Sequence, residues 1–170
     1  MTPLEEVLSG REERAKRQHE ALFSAAGNNF VCQISLNIPG YPKHITGDKT
    51  FLERAWSLFL ARTNAVPKEE KILDNGAGIS LLARFYAEIY DAASFKMIAA
   101  AIEEETPAGR LLDIDIITRE GTLSRSGLGM PERRCLLCGE PAKDCARLHR
   151  HSADRLRKRI SELLDLHSFC

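Results

Sequence analysis

The chain has 170 residues, 24 basic and 24 acidic side chains and no net charge, with 44% hydrophobic and 28% charged residues. That length and balance support one domain with its own core and exclude a disordered chain, and zero net charge argues against nucleic acid as a partner. No apolar run reaches membrane-spanning length and the first residues lack a signal-peptide core, so no membrane partner and a cytoplasmic location are expected.

In chain order, Thr2-Pro3-Leu4-Glu5 has the residues of a helix capping box, and Ser9-Gly10-Arg11-Glu12 repeats that signature. A helix is expected over about residues 10–23, with Arg11, Arg14 and Gln18 at helical spacing on one side. That side is either a solvated charged face or a surface turned towards an anion. Residues 30–38 alternate like a half-buried strand ending at Pro39-Gly40, and a loop with Lys43 and His44 follows. Thr50-Phe51-Leu52-Glu53 reads as a third capping box. The helix after it presents Leu52, Ala55, Trp56, Phe59 and Leu60 on one stripe, with Trp56 in the core.

Lys68-Glu69-Glu70-Lys71 reads as a surface connection, and Asn75-Gly76-Ala77-Gly78 as a glycine turn before a strand over residues 79–86. Two glycines alone are a weak phosphate-loop signal, because such turns commonly supply positive φ. Asp91 can cap a helix whose Phe95, Ile98, Ala99 and Ile102 face inward, ending near Pro107-Ala108-Gly109. A strand with two aspartates, a turn at Arg119-Glu120-Gly121 and a short return strand over residues 122–125 complete the series. The expected fold is α+β: a single sheet of four or five strands with helices on one face, plus a small Cys-rich helical cap. Residues 1–134 would form the catalytic part and 135–170 the cap.

The run Gly109-Arg110-Leu111-Leu112-Asp113-Ile114-Asp115-Ile116-Ile117 carries the most chemistry. On a strand, Asp113 and Asp115 share a face with Leu111 and Ile117, while Leu112, Ile114 and Ile116 pack on the other. Two neighbouring half-buried carboxylates raise each other's pKa, and a hard divalent cation such as Mg2+ relieves that cost while holding substrate phosphates. The alternative is an exposed strand end whose aspartates pair with nearby arginines. Just beyond lie Ser124-Arg125-Ser126-Gly127-Leu128-Gly129 and Arg133-Arg134, whose guanidinium forks match phosphate oxygens.

Four of the five cysteines, Cys135, Cys138, Cys145 and Cys170, fall in the last 36 residues. In a reducing compartment they are thiols or metal ligands rather than disulfides. Cys135, Cys138, Cys145 and His149 give a C-x2-C-x6-C-x3-H series able to hold Zn2+ if Cys145 and His149 lie one helical turn apart; His151 is the competing fourth ligand. Buried thiols packing a helical cap are the alternative. The last helix is expected to pack through Leu156, Ile160, Leu163 and Leu164.

Taken in order, several short motifs resemble the holo-citrate lyase synthase family, also called apo-citrate lyase phosphoribosyl-dephospho-CoA transferase. They are Arg11-Glu12-x-Arg14-x-x-x-Gln18, Leu36-Asn37-Ile38-Pro39-Gly40 and Gly109-Arg110-Leu111-x-Asp113-Ile114-Asp115. Further along come Ser124-Arg125-x-x-Leu128-Gly129, Arg133-Arg134-Cys135-Leu136-Leu137-Cys138, Cys145-Ala146-Arg147 and His151. The Asn75-Gly76-Ala77-Gly78 loop departs from the family's threonine-glycine version, and the family's histidine corresponds to His151 rather than His149.

The resemblance implies a Mg-dependent nucleotidyltransferase. Its donor would be triphosphoribosyl-dephospho-CoA and its acceptor a serine of the citrate lyase acyl carrier (gamma) subunit, with diphosphate leaving. Asp113 and Asp115 would hold Mg2+, and Asp115 could take the serine proton. Arg125, Arg133 and Arg134 are candidates for the departing diphosphate, and Arg110 and Ser124 for substrate or phosphate binding. Arg11, Arg14 and Lys43 are candidates for other phosphates, and Asn37 for a ribose or phosphate. Two alternatives stay open: a protein adenylyltransferase using ATP, and a noncatalytic zinc-stabilised binding module.

Overall fold

The computed structural model of the chain describes residues 1–23 and 26–165, so Cys170 lies outside the described residues. The elements run α1 (Pro3–Phe23), β1 (Asn29–Leu36), α2 (Asp48–Thr63), β2 (Glu69–Asn75), β3 (Gly78–Tyr86) and α3 (Ala92–Glu105). After them come β4 (Leu112–Thr118), β5 (Gly121–Thr122), α4 (Ala142–Arg147) and α5 (Ala153–Asp165). The strands form one antiparallel sheet in the order β2-β3-β1-β4-β5, which is the expected α+β class.

Strand alternation builds the main core. Phe30, Cys32 and Ile34 of β1, Leu81, Ala83 and Phe85 of β3, and Leu112, Ile114 and Ile116 of β4 all point to one face. There they meet Phe51, Leu52, Ala55 and Phe59 of α2 and Phe95, Ala99 and Ile102 of α3. Phe95 sits edge-on to Phe30, Phe59 and Phe85, with ring centroids 5.1, 5.5 and 5.0 Å away. Trp56 is buried as expected, and its Nε1 donates to Glu70 Oε1 at 2.7 Å. Asp91 caps α3 by accepting from the N–H groups of Ala93 and Ser94.

Several expectations need correction. Helices cover both faces of the sheet, not one: Leu22 of α1 packs with Val31, Leu73 and Leu82 on the side opposite α2 and α3. The Thr2 box does start a helix, since Glu5 N–H donates to Thr2 Oγ1 and Thr2 N–H to Glu5 Oε2. The Ser9 box is interior to α1 and starts nothing. α2 begins at Asp48 after Gly47 in a left-handed conformation, ahead of the Thr50 box. The stretch read as a surface connection is β2, an edge strand exposed along most of its length. β1 ends at Leu36, the return strand is limited to Gly121–Thr122, and Leu111 lies in a 3-10 turn, buried in the main core.

The glycine turn has a different use from phosphate binding. Gly78 takes a positive φ of 92°, while Gly10 and Gly76 let α1 touch the β2–β3 turn. A Cβ on Gly76 would lie 2.5 Å from Glu6 O, and one on Gly10 would lie 2.7 Å from Ala77 N. Arg14 Nη2 donates to Ala77 O across the same junction at 3.2 Å.

Candidate active site

β4 pairs with β1 so that Asp113 stands opposite Ser35 and Asp115 opposite Gln33, placing both aspartates on the α1 side of the sheet. Their side chains are 43% and 32% exposed, between the buried Leu112, Ile114 and Ile116. Arg133 Nη2 lies 3.2 Å from Asp113 Oδ1, and Lys96 Nζ lies 3.7 Å from Asp115 Oδ1. Burial first, and the charge of Asp113 second, push the Asp115 carboxyl above the usual range, while Lys96 pulls it back. Arg14 feels both carboxylates: burial lowers its pKa, and Asp113 and Asp115 partly restore it.

Two α3 residues organise the strand's outer edge. Glu103, 1% exposed, accepts from the Ile114 N–H at 2.8 Å and pairs with Arg125 at 2.5 Å and Arg133 at 2.9 Å. Lys96 donates to the Ile114 carbonyl at 2.7 Å. One buried carboxylate therefore holds the two arginines that flank the aspartates. Burial works against the Arg133 charge, but Glu103 and Asp113 outweigh it and raise its pKa.

A cleft of about 520 Å3 opens over Asp115, lined also by Asn37, Lys96, Ser124, Arg125 and Arg133. Asn37 is fixed there by its N–H donating to Leu111 O at 2.8 Å. Ser124 Oγ accepts from the Gly127 N–H, shaping the loop that carries Arg125. Arg110 and Arg134 point to backbone carbonyls of Cys135 and Gly139, at 3.4 and 3.1 Å. Lys43 donates to Ile38 O at 2.7 Å, and burial lowers its pKa. Arg11 is exposed on α1.

The cysteine series comes together, with one change of ligand. Single ligand atoms of Cys135, Cys138, Cys145 and His151 all lie within 4.8 Å of one another. His149 is not in this group. α4 ends at Arg147 and His149 takes a left-handed φ of 46°, so the helical turn that would set it over Cys145 does not exist. Instead His151 Nε2 lies 3.2 Å from Cys138 Sγ, which is 3.4 Å from Cys145 Sγ. The Leu137 N–H points at Cys135 Sγ, and Gly139, at φ 73°, turns the chain back. Burial raises the Cys135 pKa, but hydrogen bonds from Leu137 and Cys138 more than offset it and lower the value.

The family described as CitX, apo-citrate lyase phosphoribosyl-dephospho-CoA transferase, matches residues 2–167. The chain belongs to that family. It is 33% identical over 170 residues to Protein CitXG of Haemophilus influenzae, covering 98% of this chain and 36% of that protein. It thus spans about a third of that relative's length. It is 33% identical over 175 residues to a "Probable apo-citrate lyase phosphoribosyl-dephospho-CoA transferase" of Streptococcus pyogenes serotype M18, covering 98% and 86% of the two chains. A protein of the same name from Vibrio cholerae serotype O1 is 31% identical over 171 residues, covering 98% and 94%.

In this CitX family member, the residues that sequence reasoning missed are Lys96 and Glu103. Glu103 sits in the run Glu103-Glu104-Glu105, which reads as solvated charge at the C-terminus of a helix. The signal that could have found it is its place one turn after Ala99 and next to Ile102, on the stripe that faces the sheet. Among the described residues, no helix is long and apolar enough to cross a membrane.

Proposed function

We propose that the chain transfers phosphoribosyl-dephospho-CoA from its triphosphate precursor to a serine of the citrate lyase acyl carrier subunit. The observation that carries this reading is that Asp113 and Asp115 share one face of β4, with Asp115 in the wall of a cleft that Lys96, Arg125 and Arg133 also line and Asp113 paired to Arg133 at 3.2 Å. Family membership and the names of its relatives support the choice of substrate. In the reaction the serine oxygen bonds to the phosphorus nearest the ribose, and the bond from that phosphorus to diphosphate breaks. The serine proton passes to Asp115, the aspartate in the wall of the cleft. Arg125 and Arg133, held by Glu103, receive the departing diphosphate, and Arg134 lies next in the chain. Asn37 hydrogen-bonds the ribose, and Arg14 offsets the charge of the carboxylates from the α1 side.

The two carboxylates fit a Mg2+ ion, because burial and then the charge of Asp113 already disfavour ionised Asp115, a cost that a divalent cation relieves. Asp113 and Asp115 would hold the ion, which would supply positive charge to offset that of the substrate phosphates. The second metal is of another kind. Three thiols and one imidazole form a closed, soft donor set, which suits tetrahedral zinc in a structural role. On this reading residues 135–170 form a zinc-pinned segment packed on the catalytic residues 1–134, and the protein works in the cytoplasm.

The test is mass spectrometry of purified carrier subunit incubated with enzyme, Mg2+ and the triphosphate donor. The wild type should add the phosphoribosyl-dephospho-CoA mass to one serine, and the double variant Asp113→Asn, Asp115→Asn should add it at least ~100-fold more slowly. Attachment of AMP alone when ATP is also present would favour the adenylyltransferase reading. Unchanged transfer by the double variant would overturn the assignment of the site.

A further inference from the structure

A second cleft, of about 310 Å3, adjoins the first: Asn37, Arg133, Ala142 and Ala146 line both. The chemistry of the two is different. The first has Asp115, Glu132, Lys96 and Lys143 in its wall, whereas no carboxylate or lysine lines the second. Leu111 and Ile160, both buried, and the half-buried Leu136 and Leu156 supply its apolar surface.

The arginines of this second cleft are already engaged. Arg110 and Arg134 donate to the carbonyls of Cys135 and Gly139, and Arg133 is paired with Glu103 and Asp113. Their stems add apolar surface to the wall while the guanidinium heads are held at its rim. The wall is also well anchored. Arg157 of α5 donates to the carbonyls of Pro39, Pro42 and His44, at 3.0, 2.7 and 3.1 Å. The Cys/His cluster fixes the opposite stretch, from Cys135 to His151.

A cleft with a largely apolar wall and no carboxylate or lysine, contiguous with a phosphate-handling one, suits the part of the donor that is apolar and attached next to the ribosyl phosphate. In a phosphoribosyl-dephospho-CoA skeleton that part is the adenine of the nucleoside. The pantetheine arm lies beyond a further diphosphate and so farther from the ribosyl phosphate. We propose that this cleft is the purine site of the donor, with the ring between Leu136 of the Cys/His segment and Leu156 and Ile160 of α5. The proposal rests on the reading given under Proposed function and adds to it which group binds where.

The test is isothermal titration calorimetry with dephospho-CoA, 4'-phosphopantetheine and inorganic triphosphate as probes. Leu156→Arg places a charged head in the cleft, and Leu156→Met keeps an apolar side chain of similar volume. Dephospho-CoA is expected to bind the wild type and Leu156→Met alike and to bind Leu156→Arg at least ~10-fold more weakly, as a buried apolar contact worth about 1.4 kcal/mol implies. Inorganic triphosphate should bind all three proteins equally, which shows that Leu156→Arg is folded with its carboxylate cleft intact. 4'-Phosphopantetheine, which lacks the purine, should not displace dephospho-CoA.

Equal binding of dephospho-CoA to Leu156→Arg overturns the proposal, and so does its displacement by 4'-phosphopantetheine or its failure to bind the wild type. The functional reading fails by a different result, the absence of donor mass on the carrier serine, so the two outcomes are separable.

Discussion

Glu103 shows how one residue can organise a site without touching substrate. A carboxylate at 1% exposure costs several kcal/mol unless it is paired, and here it has two guanidinium partners and a backbone N–H. Glu103→Ala would leave Arg125, Arg133 and the Ile114 N–H without that partner. It should cost about 3–5 kcal/mol, read as a lower urea midpoint with an unchanged slope. Asp115 runs the other way. Its folded pKa stands above the unfolded value near 3.8, because burial and then Asp113 disfavour its charge. A carboxylate raised in this way destabilises the folded chain once ionised: the penalty is absent below the unfolded pKa and complete above the folded one. In Mg2+-free buffer, Asp115→Asn should therefore raise the thermal midpoint at about pH 7, and the gain should shrink as the pH falls towards about 4. The same substitution should remove transfer activity, so stability and function would move in opposite directions.

Among the elements, the contact of α1 with the β2–β3 turn sets two effects against each other. Alanine in place of a mid-helix glycine ordinarily stabilises by up to about 1 kcal/mol. At Gly10 the new Cβ would meet Ala77 N at 2.7 Å, a backbone atom with no room to give. The clash is expected to win: Gly10→Ala should destabilise by about 1–3 kcal/mol, measured by chemical denaturation. This contact was not legible in the sequence, since a glycine needed for close approach looks the same as one needed for positive φ, and only Gly78 of that turn uses the latter. β2 escaped for a related reason. At the sheet edge, exposed along most of its length, its Glu69-Glu70-Lys71 segment carries no alternation to detect. β1, β3 and β4, packed through one face on α2 and α3, show their pattern plainly, and so do the inward faces of α2, α3 and α5.

At the scale of the whole molecule, the sequence made the aspartate pair and the Cys-rich segment visible, but not that α3 brings Lys96 and Glu103 to the aspartate strand and ties Arg125 and Arg133 there. The fourth member of the Cys/His group turned on the end of α4 at Arg147 and the left-handed φ at His149, which spacing along an assumed helix cannot supply. Replacement of His151 by Ala should lower bound zinc in metal analysis of the purified protein, whereas His149→Ala should leave it stoichiometric. Chelation should loosen the region from Cys135 to His151 in hydrogen exchange while the amides of β1 and β3 remain protected.

One last feature concerns the flank of β4. β5 pairs with it only at Ile117 and Thr118, so the middle of that strand has no further neighbour in the sheet. A row of unused main-chain groups is an invitation to a foreign strand, and this one is closed from within: Lys96 occupies the Ile114 oxygen and Glu103 its nitrogen. An incoming chain would have to displace two buried charges before forming its first bond there. Glu103, which holds the arginines in place, therefore also guards this flank, together with Lys96, against fibril-like stacking.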